Sequence, residues 1–591
     1  MILYQQEDGS VKKIISILLI TASLTAVLFG CTGTPETTTA DLTGTETETE
    51  EEQVTTEEVT TVEETTSEII KAPDEDESLL VWYDHSFTKT DPEKPADTGM
   101  RSYTVYMTKA EVEDAQIVIS SEDAKTGLSV TCTPLKNKNG VEIETEILRQ
   151  YYILCGKTYY PDPIAPMNDT TRVFDIEAGK SQAMFVQLKT TKDTPAGDYE
   201  GVVSVNEGEK TVKQLRLFAH VWDIELPEVL SGAAVSGMGS GDIYRFHDRE
   251  NGTDYYKEYY DFLLDYHVNA YELPYDVLDE RADAYMSDPR VKFFRLPYIG
   301  DDAKMVAWYN KLKTNEEWFK KAYFYPFDEP GSASALNQMA GYCQRIRQLC
   351  PGIKIVVPFF QDVQYDKERD QIAFMSEFID IWCPKTFCFT KSTDKMQGRK
   401  LLYNSQQKKK YDEFGKRMQD EVAGGDELWW YVCWEPGLPY LNMYVDMPGL
   451  YNKLLFWQQK QYNVSGFLYW SCTFWERVEN PWTNMATVGK DYRTGQLWLS
   501  ESVFGDGSLL YPGSVQNVDG ACGSFRLTMI RDGIEEYEMF TMLEAAAGRD
   551  KVDAIIKTVS ENIVNFTSDA EAMANAKITL GNALEAALKN K

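Results

Sequence analysis

Eight short apolar runs recur between residues 233 and 470, with helix-patterned segments between most of them, and nothing else in the 591 residues restricts the fold as strongly. The runs are 233–237, 270–273, 293–298, 322–327, 354–360, 379–384, 428–434 and 466–470, and helical patterns fall at 255–266, 333–349, 400–418 and 448–461. Strands that alternate with helices lie parallel, because the chain crosses back over the sheet before each new strand begins. Eight such units in roughly 240 residues have the number and size of a (β/α)8 barrel. An open doubly wound sheet would carry a phosphate-binding turn after its first strand, where Gly237-Met238-Gly239-Ser240-Gly241 stands. The third glycine of that motif would fall on Asp242, whose carboxylate would repel a pyrophosphate, so the barrel is the expectation.

The chain is about four times as long as a ~150-residue domain, so flanking domains are expected. Runs at 103–107, 114–120, 128–133, 142–154, 183–190, 197–205 and 212–222 alternate with a period of two and are separated by turns such as Thr194-Pro195-Ala196-Gly197. That pattern predicts a β-sandwich with a structural role over 79–228. Beyond the barrel, 525–546 and 552–588 read as packing helices, with Arg531 and Asp532 as a structural ion pair. The expected fold is multidomain α/β: an N-terminal β-sandwich, a TIM-like (β/α)8 barrel over 229–500 and a partly helical C-terminal region over 501–591.

Lys12 and Lys13 precede an uncharged apolar stretch, 14–30, that ends in Leu28-Phe29-Gly30-Cys31. This ending resembles the lipobox of bacterial lipoproteins, which makes 1–31 a signal peptide and Cys31 the lipidated residue; an uncleaved membrane anchor is the alternative. Glu7 and Asp8 suit a signal peptide poorly, which suggests a translation start at Val11. Residues 32–78 hold sixteen acids against Lys71 alone and are rich in Thr and Glu. Such a segment cannot bury enough apolar surface to fold and extends by self-repulsion, so it reads as a tether. The expected location is the extracellular face of a bacterial membrane.

The net charge of −34 argues against nucleic acid as a partner, because such a surface repels phosphates. Nine further cysteines form no paired CxxC set and there are only four His, so no metal or other cofactor is expected. The sequence leaves open whether those cysteines form disulfides or stay as buried thiols. No GxSxG elbow offers a serine nucleophile.

In a barrel, chemistry belongs at the C-terminal strand ends. The fourth run ends Tyr325-Pro326-Phe327-Asp328-Glu329-Pro330-Gly331, two adjacent carboxylates at an abrupt turn. Two close acids separate each other's protonation, so one can donate a proton while its neighbour stays charged. The bland reading is that these acids cap the helix starting near Ser332, and the bare residues weigh the two about equally. Aromatic residues crowd other strand ends: Trp434 beside Glu435, Tyr469, Trp470, Trp475, and Tyr298 at the end of the third run. An aromatic floor stacks on the C–H face of a sugar, although any one of these rings could equally be core. Acid pair and aromatic rim together suggest carbohydrate chemistry.

The Asp328-Glu329 pair after an aromatic strand resembles glycoside hydrolase family 123. So do Gly466-Phe467-Leu468-Tyr469-Trp470, the segment from Gly505-Asp506-Gly507 to Tyr511-Pro512-Gly513, and the stretch from Ser524-Phe525-Arg526-Leu527 to Glu538. The likeness spans about 79–545 and is strongest in a C-terminal region long catalogued as a domain of unknown function. It implies a β-sandwich before a (β/α)8 barrel and exo-acting removal of terminal β-linked N-acetylgalactosamine from a glycolipid or glycoprotein glycan. It also implies substrate-assisted catalysis, in which the sugar's own 2-acetamido oxygen is the nucleophile. By that resemblance Glu329 is the general acid and later base, and Asp328 holds the acetamide and stabilises the oxazolinium charge. Two alternatives stay open: a conventional retaining glycosidase with Glu329 as acid and Glu435 as nucleophile, and a non-catalytic surface glycan-binding lipoprotein.

Overall fold

The computed structural model describes residues 70–360, 363–396, 399–400, 405–489, 494–495 and 503–590. Cys31, the apolar run before it and the tether as far as residue 69 lie outside the described residues. Residues 70–78, at the end of the expected tether, lie along a sheet. The Asp74 and Asp76 N–H groups donate to the carbonyls of Thr211 and Val212, both at 3.1 Å, and Asp76 pairs with Lys125 at 2.5 Å.

The N-terminal part is built from two sheets. One carries Leu79–Asp84, Val112–Ser121, Ser181–Lys189, Thr145–Cys155 and Thr158–Pro166, and is extended by Ala521–Ser524 and Tyr511–Pro512 from near the other end of the chain. The second is built on Ser102–Lys109, Lys210–Glu225, Gly197–Glu207, Lys125–Cys132 and Phe174–Ile176. Alternate residues of both sheets meet in one apolar cluster: Val81, Ile117, Ile119, Met184 and Val186 from the first, Val203, Val205, Leu215 and Leu217 from the second. Thr158–Pro166 escapes a sequence reading because Pro161, Pro163 and Pro166 lack the N–H a ladder needs. It nevertheless joins the two ends of the chain, with Ile164 opposite Gly523 and Pro163 opposite Ser524.

Eight parallel strands follow: β1 (Ala233–Ser236), β2 (Val268–Ala270), β3 (Phe294–Leu296), β4 (Ala322–Phe324), β5 (Lys354–Phe359), β6 (Ile381–Pro384), β7 (Glu427–Val432) and β8 (Gly466–Tyr469). Their order is β2-β1-β8-β7-β6-β5-β4-β3. The sheet is nearly closed, because just past β2 the Tyr271 carbonyl accepts the Arg295 N–H of β3 at 2.6 Å. Val235, Tyr323, Val356, Ile381, Trp429 and Leu468 fill its interior. Helices α1 (Tyr255–Leu264), α2 (Asp302–Leu312), α3 (Ala333–Leu349), α4 (Ser405–Gly424) and α5 (Gly449–Gln461) occupy connections between strands. The second strand starts earlier than the expected 270–273, because the backbone reverses at His267 (φ 59°) and enters the ladder directly at Val268. Gly237 forms no phosphate turn. A Cβ there would lie 2.2 Å from the Trp470 carbonyl oxygen, so the glycine lets the ends of β1 and β8 approach. Among the described residues all nine cysteines are free thiols, seven of them buried.

Helices α6 (Phe525–Ala547) and α7 (Ala570–Lys589) close the structure, separated by a short helix and a two-stranded ribbon. An ionic joint connects them to the first sheet and to α5. Arg531 bridges Asp532 and Asp114, both at 2.7 Å, Lys453 meets Glu536 at 2.7 Å, and Lys577 contacts Glu113 and lies 3.6 Å from Glu111. Glu111, Glu113 and Glu535 bring carboxylate oxygens within 4.8 Å of one another, with the Lys577 ammonium already beside them.

Burial pushes both Glu111 and Glu535 up to about 8. Each holds a proton in the folded protein that the unfolded chain releases above about pH 4.5, so their contribution to stability is lost as pH rises through about 8. Glu535→Gln is therefore expected to leave the thermal midpoint nearly unchanged at pH 5 and to raise it relative to the native chain at pH 9. An equal shift at both pH values in a calorimetric scan would contradict this.

Candidate active site

β4 delivers the acid pair. Past Phe324 the chain leaves the ladder, and Glu329 takes a left-handed backbone conformation (φ 45°) that a non-glycine residue seldom adopts. Its N–H donates to the Pro358 carbonyl of β5 at 3.1 Å, which fixes the turn. The two side chains are engaged by different elements. Asp328 is exposed and its Oδ1 accepts from the Tyr325 hydroxyl at 2.7 Å. Glu329 Oε1 accepts from the Tyr431 hydroxyl on β7 and lies 3.6 Å from the Lys385 Nζ. Burial, reinforced by the neighbouring carboxylates, raises the pKa of both tyrosine hydroxyls, so each remains a donor. Neither acid caps α3: Ser332 does, its Oγ accepting the Ala335 N–H at 3.2 Å. The helix-capping reading thus loses its ground.

Two charged groups complete the surroundings of Glu329. Lys385 follows β6 directly and is 2% exposed, and its backbone N–H donates to the Phe359 carbonyl at 2.9 Å. Glu435 follows β7 and sits 3.7 Å from the Lys385 Nζ. Glu329 Oε1 and Glu435 Oε2 can therefore be no more than about 7.3 Å apart, the sum of their two distances to the shared ammonium. Sequence reasoning missed Lys385 because Ile381-Trp382-Cys383-Pro384 reads as plain buried strand. The available signal was a lone lysine at the C-terminal end of a barrel strand.

The aromatic residues divide. Trp434 is 44% exposed beside Glu435. Trp470 is half-buried, with its ring centroid 4.7 Å from that of Phe474 and its Nε1–H donating to Asp506 Oδ1 at 3.1 Å. Tyr298 packs at a tilt against Tyr342 of α3, ring centroids 4.8 Å apart, and Tyr342 in turn packs against Phe327 just before the acid pair. Tyr469 and Trp475 do not belong to an open surface. Tyr469 alternates with the interior-facing Leu468 and is 1% exposed, its hydroxyl accepting the Gly507 N–H at 3.0 Å. Trp475 is fully buried, its Nε1–H donating to the Leu510 carbonyl at 3.1 Å. These two rings are core.

Behind Trp470 lies a residue the sequence did not single out as functional. Asp506 is fully buried, burial pushes it up to about 7, and its Oδ2 has no hydrogen-bond partner among the described residues. Gly507 (φ 75°) lies flat against the Trp470 ring, and a Cβ there would stand 2.2 Å from Cζ2. Gly505-Asp506-Gly507 is thus a saddle that holds this tryptophan at the barrel mouth.

Residues 303–543 match the model of the glycoside hydrolase 123 catalytic domain. Among solved structures, a family 123 glycoside hydrolase from Clostridium perfringens, studied for glycolipid glycan hydrolysis, superposes with a TM-score of 0.58 at 15% identity. The match covers 87% of this chain and 98% of that one, and supports the fold. A family 39 glycoside hydrolase from the gut symbiont Bacteroides cellulosilyticus is similar at a TM-score of 0.27 and 8% identity, covering 73% of this chain and 81% of that one. A Bacteroides ovatus GH5 xyloglucanase reaches 0.23 at 8% identity, covering 77% and 100%; neither bears weight. No curated protein matches the sequence.

Proposed function

We propose that this glycosidase, whose residues 303–543 match the glycoside hydrolase 123 catalytic domain, removes a terminal β-linked N-acetylhexosamine, foremost N-acetylgalactosamine, by substrate-assisted hydrolysis. The observation that carries this reading is the divergence of two adjacent carboxylates from one strained turn, Asp328 held by Tyr325 and Glu329 by Tyr431. A covalent mechanism needs two separated carboxylates flanking the scissile bond, whereas a substrate that brings its own nucleophile needs one acid and one polariser side by side.

In the first step the acetamido oxygen bonds to C1 as the C1–O bond breaks. The aglycone oxygen keeps that electron pair and takes the Glu329 proton. Asp328 accepts the acetamide N–H and stabilises the oxazolinium charge. Water then attacks C1 and gives its proton to the Glu329 carboxylate, the acetamido oxygen recovers its bonding pair, and the product keeps the β configuration. Trp470 and Trp434 supply stacking faces for the sugar.

The glycolipid glycans cleaved by the Clostridium enzyme make a glycolipid a natural candidate substrate. Lipidation at Cys31 and the acidic tether would display the enzyme on the outside of a bacterial membrane, with the N-terminal sheets acting as a β-sandwich and the parallel sheet as a (β/α)8 barrel.

One observation keeps a second reading in view: the separation of at most about 7.3 Å between Glu329 and Glu435 does not bar Glu435 from nucleophilic attack. Release of p-nitrophenol from a panel of p-nitrophenyl glycosides tests both readings. Turnover of the β-N-acetylgalactosaminide is expected, and none by Asp328→Asn/Glu329→Gln. Azide is expected to leave the Asp328→Asn defect unrepaired. A glycosyl azide formed by Glu435→Ala would favour the covalent route, turnover confined to sugars without a 2-acetamido group would discard substrate assistance, and glycan binding with no cleavage would support a binding protein.

A further inference from the structure

The Lys385 ammonium, at the end of β6, is enclosed by protein. It lies 4.6 Å from the centroid of the Phe360 ring and 5.3 Å from that of Tyr431, and the residue is 2% exposed. A lysine so enclosed has lost most of its hydration and depends on anions for compensation. Two stand at nearly equal range, Glu329 Oε1 at 3.6 Å and Glu435 Oε2 at 3.7 Å, both too far for a committed hydrogen bond. Their carriers are held in place independently of the lysine. The Glu329 backbone is tied to Pro358, and the Glu435 carbonyl accepts the Cys433 N–H at 2.9 Å. Asn442 braces the same turn by donating to the carbonyls of Cys433 and Pro436, both at 2.9 Å. The other titratable neighbours are the Tyr431 hydroxyl, the Cys433 thiol, pushed up to about 12 by burial, and the deeper carboxyl of Asp506.

We propose that Lys385 is a positioning residue for Glu329, its ammonium shared with Glu435 while Glu329 carries a proton and drawn to Glu329 once that proton has gone to the aglycone. The inference rests on the reading of Glu329 as general acid and base. In the first step Glu329 changes from neutral to anionic, and a cation already desolvated at 3.6 Å stabilises the new charge by a short shift toward it. When water returns a proton to Glu329, the ammonium relaxes toward Glu435. Lys385 itself neither gives nor takes a proton, so its role is electrostatic, and Glu435 acts as its counter-charge instead of as a nucleophile.

The test uses the full chain and two β-N-acetylgalactosaminides, one with a methyl aglycone that needs protonation to leave and one with a 2,4-dinitrophenyl aglycone that does not. Lys385→Met is expected to lower kcat/KM on the methyl glycoside about 10- to 100-fold while staying within about threefold on the dinitrophenyl glycoside. The loss should vanish in the Glu329→Gln background, because two residues acting through one proton transfer are not additive. Lys385→Arg should recover most of the activity, and Glu435→Gln should show a smaller loss with the same leaving-group pattern. Equal losses on both aglycones, or a Lys385→Met loss that adds to that of Glu329→Gln, would overturn the proposal, as would no loss at all. If Lys385→Met does not fold, the Glu435→Gln pattern decides. If instead Glu329→Gln itself loses nothing on the methyl glycoside, the failure lies in the assignment of the acid.

Discussion

Glu329→Gln is expected to lower kcat/KM on an alkyl β-N-acetylgalactosaminide by about 10²- to 10⁴-fold, the range that positioned proton transfer contributes. The amide keeps the shape of the side chain and can still accept from Tyr431, so the turn and its contact to Pro358 should survive. What is lost is the proton for the leaving oxygen and, in the second step, the base for water. The defect should therefore shrink as the aglycone becomes more acidic, and it should nearly disappear from the first step with a dinitrophenyl leaving group. Asp328→Asn is expected to behave differently. Its defect should persist whatever the aglycone, because the oxazolinium charge develops in either case. Leaving-group series on both variants, with proton NMR of the released sugar to establish its anomeric configuration, test these expectations. A Glu329→Gln defect independent of leaving group would remove Glu329 from the role of acid.

Arg526→Met is expected to destabilise the protein by about 3–5 kcal/mol, the cost of breaking a buried ion pair from one side. Arg526 and Asp162 are both fully buried, and the guanidinium grips the carboxylate through Nε and Nη2 at 2.8 Å each. Its Nη1 also donates to the carbonyls of Met443 and Gly505, at 2.8 and 2.7 Å. Methionine would leave the buried carboxylate without its counter-charge, with the Tyr511 hydroxyl still donating to it, and would take a donor from each carbonyl, although that of Gly505 keeps the Ser508 N–H at 3.1 Å. Replacing both partners, as in Asp162→Leu/Arg526→Met, should recover part of the loss, because no lone charge then remains. Denaturant titrations of the single and double variants check this, and a single variant as stable as the native chain would refute it. Gly505 immediately precedes the Asp506 that receives the Trp470 indole, so the single variant should also raise KM.

The features legible in the amino-acid sequence share one physical origin: they are written in neighbouring residues. Strand and helix periodicities over 233–470 and the turn chemistry of Asp328-Glu329-Pro330-Gly331 depend on spacings of two to four along the chain, which composition and pattern expose directly. The eight parallel strands and the acid pair at the end of the fourth are therefore evident from sequence alone. The strand Thr158–Pro166 is not, because its prolines speak against a ladder that it joins by pairing with residues more than 350 positions away. Whether the acids cap a helix is equally undecidable from the residues themselves, and it is the placement of Ser332 at the helix start that answers it. The aromatic rim can be named from sequence but not sorted: Tyr469 and Trp475 are buried while Trp434 stays exposed, a matter of what the fold packs against each ring. Lys385, Tyr431 and Glu435 gather around Glu329 from positions 56 to 106 residues further along the chain, because β4, β5, β6 and β7 lie side by side in that order. Charge compensation of this kind depends on distance in space and on excluded water, and only the order of the strands in the nearly closed sheet decides either.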